Sequence, residues 1–276
     1  TVIVSRNGEN NYGNIERHYA DTEVIINTTP VGMYPDTGKR LVDLSLFKNC
    51  EAVMDMIYNP LKTAFLYDAE KAGMLYTNGL PMLVMQGAVA AEHFSGRKFS
   101  GALVEKALDE ADRTVRNIVL IGMPGCGKSS VGKLLAEKTG RSFIDTDALI
   151  EKNEGTSIPD IFAKSGEGYF REAEKRAVRE AGNMTGVVIS CGGGVVTRDE
   201  NYLPLKQNGT VYLIKRDVSL LSTDGRPLSK SLDELKKMEE VRAPMYDAFA
   251  DLSVLNNGEV TACADMIYND FTGSAE

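Results

Sequence analysis

The chain has no tryptophan and only two histidines, His18 and His93, among its 276 residues. Both histidines lie before residue 116, so chemistry in the second half of the chain must run on Asp, Lys, Arg and Ser. Since the cysteines form no C-x-x-C pair and few histidines could join them, a zinc site is not expected. Widely spaced cysteines in a chain of this size indicate a reducing, cytoplasmic setting. The four cysteines are Cys50, Cys126, Cys191 and Cys263.

Acidic residues outnumber basic ones in this chain. No apolar run is long enough to cross a bilayer. Lys and Arg number 31 against 39 Asp and Glu, which gives a formal net charge of −8. Nucleic acids and membrane surfaces attract basic patches, so the composition favours neither as a partner. No signal peptide is visible, yet the chain begins at Thr1 rather than Met. We therefore expect a fragment whose start has been removed.

Short β-rich runs alternate with helical patterns in two series. The first series has β-rich runs at residues 1–5, 23–26 and 52–57 and closes with a helical segment, residues 81–94, that has proline in its first turn. An amphipathic connecting helix is predicted over residues 101–116. The alternation predicts parallel α/β sheets. The second series predicts strands at 117–121, 142–145, 187–190 and 210–214, with helices at 128–138 and 231–250.

A phosphate-binding pattern, G-x-x-x-x-G-K-[ST], occurs at Gly122, Gly127, Lys128 and Ser129. Glycines let backbone N–H groups surround phosphate oxygens, the lysine reaches the outer phosphates, and the serine hydroxyl ligates Mg²⁺. The N-terminus of the following helix adds a positive partial charge. An ordinary tight turn is the alternative, but a strand before and a helix after the pattern favour a phosphate loop.

Two carboxylates, Asp145 and Asp147, end the next predicted strand. At positions i and i+2 they can serve a metal and a substrate hydroxyl separately. A helix N-cap is the alternative, because Asp is a favoured cap residue and a helical sequence follows. The neighbouring phosphate loop favours the functional interpretation, since ligands bind outside the carboxyl ends of parallel strands.

Four further motifs are weak when each is taken alone. Arg171 and Glu174 share a helix face, as a surface ion pair would. Three consecutive glycines, residues 192–194, suit either a backbone that approaches a ligand closely or a flexible turn. Arg226 and Arg242 each stand beside a proline, and an isolated arginine is usually a solvated surface residue.

Taken in order, GMPGCGKSS, DTDALIE, FREAE, CGGGVV, GRPL and RAPMY resemble the shikimate kinase family over residues 117–270. The resemblance implies an α/β P-loop kinase with a parallel sheet flanked by helices and a mobile lid. The implied reaction moves the γ-phosphoryl group of ATP to the 3-hydroxyl of shikimate, in aromatic amino-acid biosynthesis. ATP and shikimate are the implied small-molecule partners, Mg²⁺ is the implied cofactor, and a monomeric kinase domain is compatible with the resemblance.

The same resemblance implies roles for individual residues. Asp147 holds the reacting hydroxyl as base or orienter, and it acts with Lys128 and Arg226. Ser129 binds Mg²⁺ directly, with Asp145 assisting through water. Shikimate is held by Asp147, Arg171, Gly192, Gly193, Gly194 and Arg242, and Glu174 orients Arg171. The implied ATP-binding residues are Gly122, Gly125, Cys126, Gly127, Lys128, Ser129, Ser130 and Arg226.

One region departs from the family. A second lid arginine often precedes the GRPL motif in the family, and residues 219–225 contain none. The adenine strap near residues 256–258 is also not sharply matched. Adenine contacts are therefore left unassigned.

Two stretches of the first half, residues 27–35 and 55–87, resemble the nucleotide-binding domain of shikimate dehydrogenase. The resemblance implies shikimate contacts from Tyr58 and Gln86, with Gly79 in the same motif. It places Asn27, Thr28 and Met33 near the dinucleotide. It also implies that Arg6 clamps the 2′-phosphate of NADP, although Arg6 is alternatively a charged residue that ends a strand.

Parts of that dehydrogenase are missing from residues 1–116, which have neither the glycine-rich Rossmann turn nor a substrate domain. The absent first strand would lie between residues 1–5 and 23–26, whose backbone groups would then be unpaired. We predict that this half transfers no hydride, binds NADP only if the missing part were present, and is less stable than the kinase half.

The predicted organisation is an incomplete Rossmann-like segment at 1–100, a helical linker at 101–116 and a kinase domain at 117–276. Gluconate and nucleoside-monophosphate kinases share the phosphate loop and are alternatives. The two arginines aimed at a carboxylate and the triple glycine argue against them. An ATP-binding regulatory module without turnover is a further alternative, disfavoured because Lys128, Asp147, Arg171 and Arg226 are all present.

Overall fold

The computed structural model describes residues 1–221 and 232–274. The chain divides into two compact units, residues 1–108 and 109–276, and each unit has its own parallel sheet. Within the two described ranges, no helix has both the length and the apolar character that a bilayer crossing requires.

The first unit contains a three-stranded parallel sheet in the order β1-β2-β3. Its core packs helix α1 against the sheet, with Phe65 and Leu66 fully buried next to Val53. The division between the units falls inside the amphipathic helix α3. In chain order the elements are β1 (Val24–Asn27), β2 (Ala52–Asp55), α1 (Ala64–Lys71), β3 (Leu75–Thr77), α2 (Leu80–Ser95) and α3 (Gly101–Val115).

A buried carboxylate connects the end of β2 to the start of α1. Asp55 accepts hydrogen bonds from the Thr63 hydroxyl (2.7 Å), the Ile57 backbone N–H (3.1 Å) and the Asn27 amide (3.1 Å). Thr63 also caps α1 by accepting from the backbone N–H of Leu66. Burial raises the pKa of Asp55, and these hydrogen bonds partly offset that rise.

The prediction of a strand at residues 1–5 is wrong. These residues adopt no strand, and among the described residues β1 pairs only with β2. A β-rich sequence needs a neighbouring strand to satisfy its backbone, and none lies beside residues 1–5. Two short strands escaped the sequence patterns: β3, whose side chains are all exposed, and a strand at Leu252–Leu255 in the second unit.

The second unit has a five-stranded parallel sheet in the order β5-β6-β4-β7-β8. Its central strand β4 is buried along its whole length, as expected of a strand covered on both faces. The predicted strands at 117–121, 142–145 and 187–190 are confirmed. The elements are β4 (Asn117–Ile121), α4 (Lys128–Thr139), β5 (Ser142–Asp145), α5 (Thr146–Glu154), α6 (Ile158–Gly182), β6 (Val187–Ser190), α7 (Tyr202–Lys206), β7 (Gly209–Lys215), α8 (Leu232–Phe249), β8 (Leu252–Leu255) and α9 (Val260–Thr272).

The sheet order brings three candidate motifs to one edge. Strands β5, β6 and β4 are parallel neighbours, so their carboxyl ends lie together. The acidic pair begins with the last residue of β5, the triple glycine follows β6 and the phosphate loop follows β4. Helix α6 breaks at Gly166, whose φ of 76° is non-helical, and restarts in the segment that carries Arg171.

Candidate active site

The loop after β4 turns on three glycines with positive φ: Gly122 at 144°, Gly125 at 79° and Gly127 at 98°. A β-carbon at position 122 would lie 2.4 Å from the carbonyl oxygen of Ile214, so no larger residue fits there. Lys128 is buried and donates from Nζ to the carbonyl oxygens of Gly122 and Met123, each at 2.9 Å. The lysine therefore lies folded over the loop, at the N-terminus of α4.

Asn256, just beyond β8, holds the other side of this loop. Its Nδ2 donates to the carbonyl oxygen of Cys126 at 2.7 Å, and a β-carbon at Gly127 would lie 2.5 Å from the same nitrogen. Asn256 is buried, and within the described residues its Oδ1 has no hydrogen-bond partner. The sequence analysis did not predict this contact. The stretch Asn-Asn-Gly at residues 256–258 was the only local feature that pointed to this part of the chain.

Asp145 caps helix α5, as the alternative interpretation predicts, and it also contacts the serine of the phosphate loop. Its Oδ1 caps α5 by accepting from the backbone N–H of Asp147 at 3.0 Å. Its Oδ2 accepts from the Ser129 hydroxyl at 2.8 Å, and the Ser190 hydroxyl lies 3.3 Å from Ser129. No cluster of three or more His, Cys, Asp or Glu ligands occurs in the described residues. A serine beside a carboxylate nevertheless suits Mg²⁺, which takes few protein oxygens and keeps several waters.

Asp147 is half-buried and faces the triple glycine, since a β-carbon at Gly192 would lie 2.5 Å from its Oδ1. Burial, followed by the charges of Asp145 and Glu174, raises the pKa of Asp147 to about 6. A carboxylate with this pKa is a better proton acceptor near neutral pH than an ordinary aspartate.

Each residue of the triple glycine is needed for close approach, and none has a positive φ. A β-carbon at Gly193 would lie 2.6 Å from Cγ of Pro124 in the phosphate loop, and one at Gly194 would lie 2.2 Å from Nη1 of Arg171. The backbone N–H of Gly192 donates to the buried Thr146 hydroxyl at 3.0 Å. The triple glycine therefore packs closely against the acidic pair, the phosphate loop and Arg171.

Arg171 and Glu174 are 6% and 0% exposed, so their interpretation as a surface ion pair is wrong. Arg171 donates from Nη1 to Oε2 of Glu174 at 2.8 Å and from Nη2 to Oε1 of Glu167 at 2.9 Å. Burial raises the pKa of Glu174, and the Arg171 charge opposes that rise. The second oxygen of Glu174 is buried without a partner among the described residues.

Two side chains from α8 converge on the carbonyl oxygen of Gly193. Arg242 donates from Nη1 at 3.0 Å, and the Tyr246 hydroxyl also donates to it. Burial is the main cause of the raised pKa of Tyr246, which therefore stays a hydrogen-bond donor at neutral pH. The motif RAPMY singled out Arg242 but gave no role to Tyr246.

The structure thus brings the described kinase candidates to one edge of the sheet, around the ends of β4, β5 and β6. Arg226 and the GRPL motif lie outside the described residues. No functional role is tested by these contacts, and each remains a prediction.

In the first unit, three candidates line one cavity of about 400 Å³: Thr28, Met33 and Tyr58. Arg6 and Gln86 are exposed and do not line it. Asn27 is fully buried, and its amide is occupied by Asp55 and Thr29. Gly79 contacts the β2 end so closely that a β-carbon there would lie 1.9 Å from the carbonyl oxygen of Met56.

Comparison with known proteins identifies the second unit. The family model for shikimate kinase matches residues 124–271. The shikimate kinase of Persephonella marina is 42% identical over 151 residues, which are 52% of this chain and 92% of that protein. The solved shikimate kinase from Acinetobacter baumannii in complex with shikimate is 33% identical and has a TM-score of 0.56. That comparison covers 60% of this chain and 98% of the other.

Solved dehydrogenases also resemble part of this chain. A chorismate mutase/shikimate 5-dehydrogenase fusion protein from Clostridium acetobutylicum is 32% identical, with a TM-score of 0.37. The comparison covers 40% of this chain and 43% of that protein, so the chain spans less than half of its length. The dehydrogenase interpretation of the first unit rests on the motifs at residues 27–35 and 55–87.

Proposed function

The chain belongs to the shikimate kinase family, and from this we propose that its second unit transfers the γ-phosphoryl group of ATP to the 3-hydroxyl of shikimate. The products are shikimate 3-phosphate and ADP. One observation carries the choice of acceptor: the triple glycine packs against Asp147, Arg171 and the phosphate loop at once. A hydroxyl acceptor with a carboxylate therefore has a base, a cation and a phosphoryl donor within one small space.

Asp147 accepts a hydrogen bond from the reacting hydroxyl and takes its proton as the oxygen attacks phosphorus. The raised pKa supports this role, because an ordinary aspartate would bind the proton too weakly near neutral pH. Gly192 has no side chain, so its backbone can lie against Asp147, where a β-carbon would be only 2.5 Å from Oδ1.

Arg171 and Arg242 bind the carboxylate of shikimate. A planar guanidinium can donate two parallel hydrogen bonds to a carboxylate, which fixes both position and orientation. Glu174 and Glu167 hold the Arg171 guanidinium in place before substrate arrives. In this proposal the carboxylate is held by the two arginines, and the 3-hydroxyl, two ring positions from the carbon that bears the carboxylate, faces Asp147.

Lys128 and the backbone N–H groups of the loop hold the ATP phosphates. On binding, Lys128 exchanges the carbonyl oxygens of Gly122 and Met123 for phosphate oxygens, which are stronger acceptors because they are charged. Ser129 and Asp145 would hold Mg²⁺, which when bound neutralises charge on the phosphates. Arg226 is assigned to the ATP phosphates by family resemblance alone.

A coupled assay of ATP consumption tests the proposal, with shikimate, gluconate and nucleoside monophosphates supplied in turn. We expect turnover with shikimate alone and shikimate 3-phosphate as product. Turnover with another acceptor would overturn the substrate assignment, and ATP binding without turnover would favour a regulatory module. Arg242→Ala should raise KM for shikimate by about tenfold or more, the loss expected for one charge-assisted hydrogen bond, while KM for ATP changes little.

For the first unit we propose that it transfers no hydride by itself, because the sequence lacks the glycine-rich turn and the substrate domain of a dehydrogenase. NADP would bind only if those parts were present. Shikimate-dependent formation of NADPH by this chain would contradict the proposal. A cytoplasmic location and a monomeric kinase unit complete the assignment. Sedimentation of the purified chain tests the oligomeric state.

A further inference from the structure

Arg216 lies one residue beyond β7, beside the phosphate loop. A β-carbon at Gly127 would lie 4.0 Å from Nη1 of Arg216 and 2.5 Å from Nδ2 of Asn256. Both side chains therefore approach the loop at its last glycine, where α4 begins. Arg216 belongs to none of the motifs that identified the kinase.

The backbone on both sides of Arg216 is fixed. The carbonyl oxygen of Lys215 accepts from the backbone N–H of Asn256 at 2.8 Å. Asp217 and Asn257 exchange two hydrogen bonds: the Asp217 backbone N–H donates to Oδ1 of Asn257 at 2.9 Å, and Nδ2 of Asn257 donates to Oδ2 of Asp217 at 2.8 Å. The direction in which Arg216 leaves β7 is therefore set by the residues after β8.

The Nε of the Arg216 guanidinium is buried and has no hydrogen-bond partner within the described residues. Asp247, a carboxylate that lines the same cavity as Arg216, pairs with Lys215 at 3.1 Å. Glu239 and Glu240 of α8 line the same cavity of about 480 Å³ as Arg216, yet neither forms an ion pair with it in the described part of the chain.

We infer that Arg216 is a nucleotide-binding residue whose guanidinium donates to a phosphate oxygen of ATP at the glycine loop. A buried N–H without an acceptor is costly, and phosphate oxygens match the fork of an arginine. The N-terminus of α4 attracts an anion to the same place. Since residues 219–225 contain no arginine, Arg216 is the nearest arginine before Arg226 in the sequence.

Binding of ADP and adenosine, measured by titration calorimetry without shikimate, tests the inference. Arg216→Met removes the charge and the donors, and we expect the Kd for ADP to rise about ten- to a hundredfold, the loss of one or two charge-assisted hydrogen bonds. Arg216→Lys keeps the charge and should lose less. Adenosine affinity should not change, because adenosine has no phosphate.

Lys215→Met is the matched control, because Lys215 is the adjacent cation and already pairs with a carboxylate, Asp247. It should change the Kd for ADP less than twofold. An unchanged Kd in Arg216→Met would overturn the inference, and so would equal losses for ADP and adenosine, which would put Arg216 against the base. If Arg216→Met does not fold, as judged by circular dichroism, Arg216→Gln replaces it and keeps a polar side chain.

The inference rests on one part of the proposed function, namely that a nucleotide binds at the phosphate loop. ADP binding does not depend on the acceptor, so a failure of shikimate turnover leaves the comparison intact. If the unaltered chain binds no ADP, the proposed function fails together with the inference. If it binds ADP and the Arg216 variants bind equally well, the inference alone fails.

Discussion

Arg171 donates a hydrogen bond to Glu174 over 2.8 Å, and both side chains are almost completely removed from solvent beside the triple glycine. A buried pair contributes little net stability, but the loss of one partner leaves an uncompensated charge. The pair therefore fixes a buried cation beside the triple glycine, where we propose that the carboxylate of shikimate binds.

Replacement of Glu174 by glutamine should weaken shikimate binding. Glu174→Gln keeps the shape and removes the charge that orients Arg171, so we expect KM for shikimate to rise about tenfold, with a smaller effect on kcat. Steady-state kinetics with varied shikimate measure this change.

Glu167→Gln is the control for that experiment, because Glu167 contacts the same guanidinium but has a side chain that is 59% exposed. Solvent screens this contact, so KM should change less than about threefold. Equal effects of the two substitutions would contradict the positioning role of Glu174.

Asp147→Asn should remove activity and stabilise the protein at neutral pH. The raised pKa means that native Asp147 binds more protons than unfolded Asp147 between about pH 4 and 6. The free energy of unfolding therefore falls as pH rises through this window, and above it the native state carries an unfavourable charge. We expect a gain of about 1–3 kcal/mol at pH 7 and a loss of kcat of at least about a hundredfold.

Thermal unfolding at two pH values checks the sign. The Tm difference between Asp147→Asn and the parent should be largest at pH 7 and small at pH 4.5, where the parent carboxyl is protonated. The parent kcat should also decline as pH falls through about 6. A variant that is less stable than the parent at pH 7 would argue against an unfavourable charge at this position.

A methyl group at Gly194 should displace the substrate arginine. The β-carbon of Gly194→Ala would lie 2.2 Å from Nη1 of Arg171, so the guanidinium must move or the backbone must shift. We expect KM for shikimate to rise by more than about tenfold, the effect of losing one charge-assisted hydrogen bond. Nucleotide affinity should be nearly unchanged.

Gly168→Ala, in the helix that carries Arg171, is the matched control because a β-carbon there meets nothing within 4 Å. Alanine is the better helix former, so this variant should keep its kinetics and gain about 0.5–1 kcal/mol. If both alanine variants bind shikimate normally, close approach is not the reason for the triple glycine.

The two units should respond separately to substitutions. A β-carbon in Gly79→Ala would lie 1.9 Å from the carbonyl oxygen of Met56, so the first unit should lose at least about 1–3 kcal/mol, as expected for overpacking. Kinase kinetics should be unchanged, since Gly79 belongs to the first unit. Calorimetry of the parent and of Gly79→Ala should show that the variant lowers the Tm of one unfolding transition and leaves the other unchanged. An equal shift of all unfolding transitions would contradict this independence.

The sequence predicted the elements whose signals are local. Strand β4 is a continuous apolar run that ends at the first glycine of the loop, and its bounds were predicted without error. Residues 1–5 have the same β-rich composition but no neighbouring strand, and composition does not reveal whether a partner exists. Strand β3 is exposed and only three residues long, so it has no hydrophobic period to detect.

In the candidate site too, side-chain contacts between residues distant in sequence were not predicted from local patterns. The spacing of Arg171 and Glu174 is identical in a surface pair and in a buried one, so only the fold distinguishes them. Tyr246 and Asn256 reach backbone carbonyl oxygens far away in sequence, and Arg216 is exceptional only because of what surrounds it. Local patterns cannot encode such contacts, whereas family motifs brought most of the other residues together.

The bond from Asn256 to the carbonyl oxygen of Cys126 joins residues 130 positions apart in the chain. During synthesis the glycine loop leaves the ribosome long before the asparagine that braces it. A nascent kinase therefore has its complete phosphate-loop sequence while the brace is still untranslated. The hydrogen bond that fixes the phosphate loop at Cys126 can therefore form only after β8 and the asparagine that follows it have been synthesised.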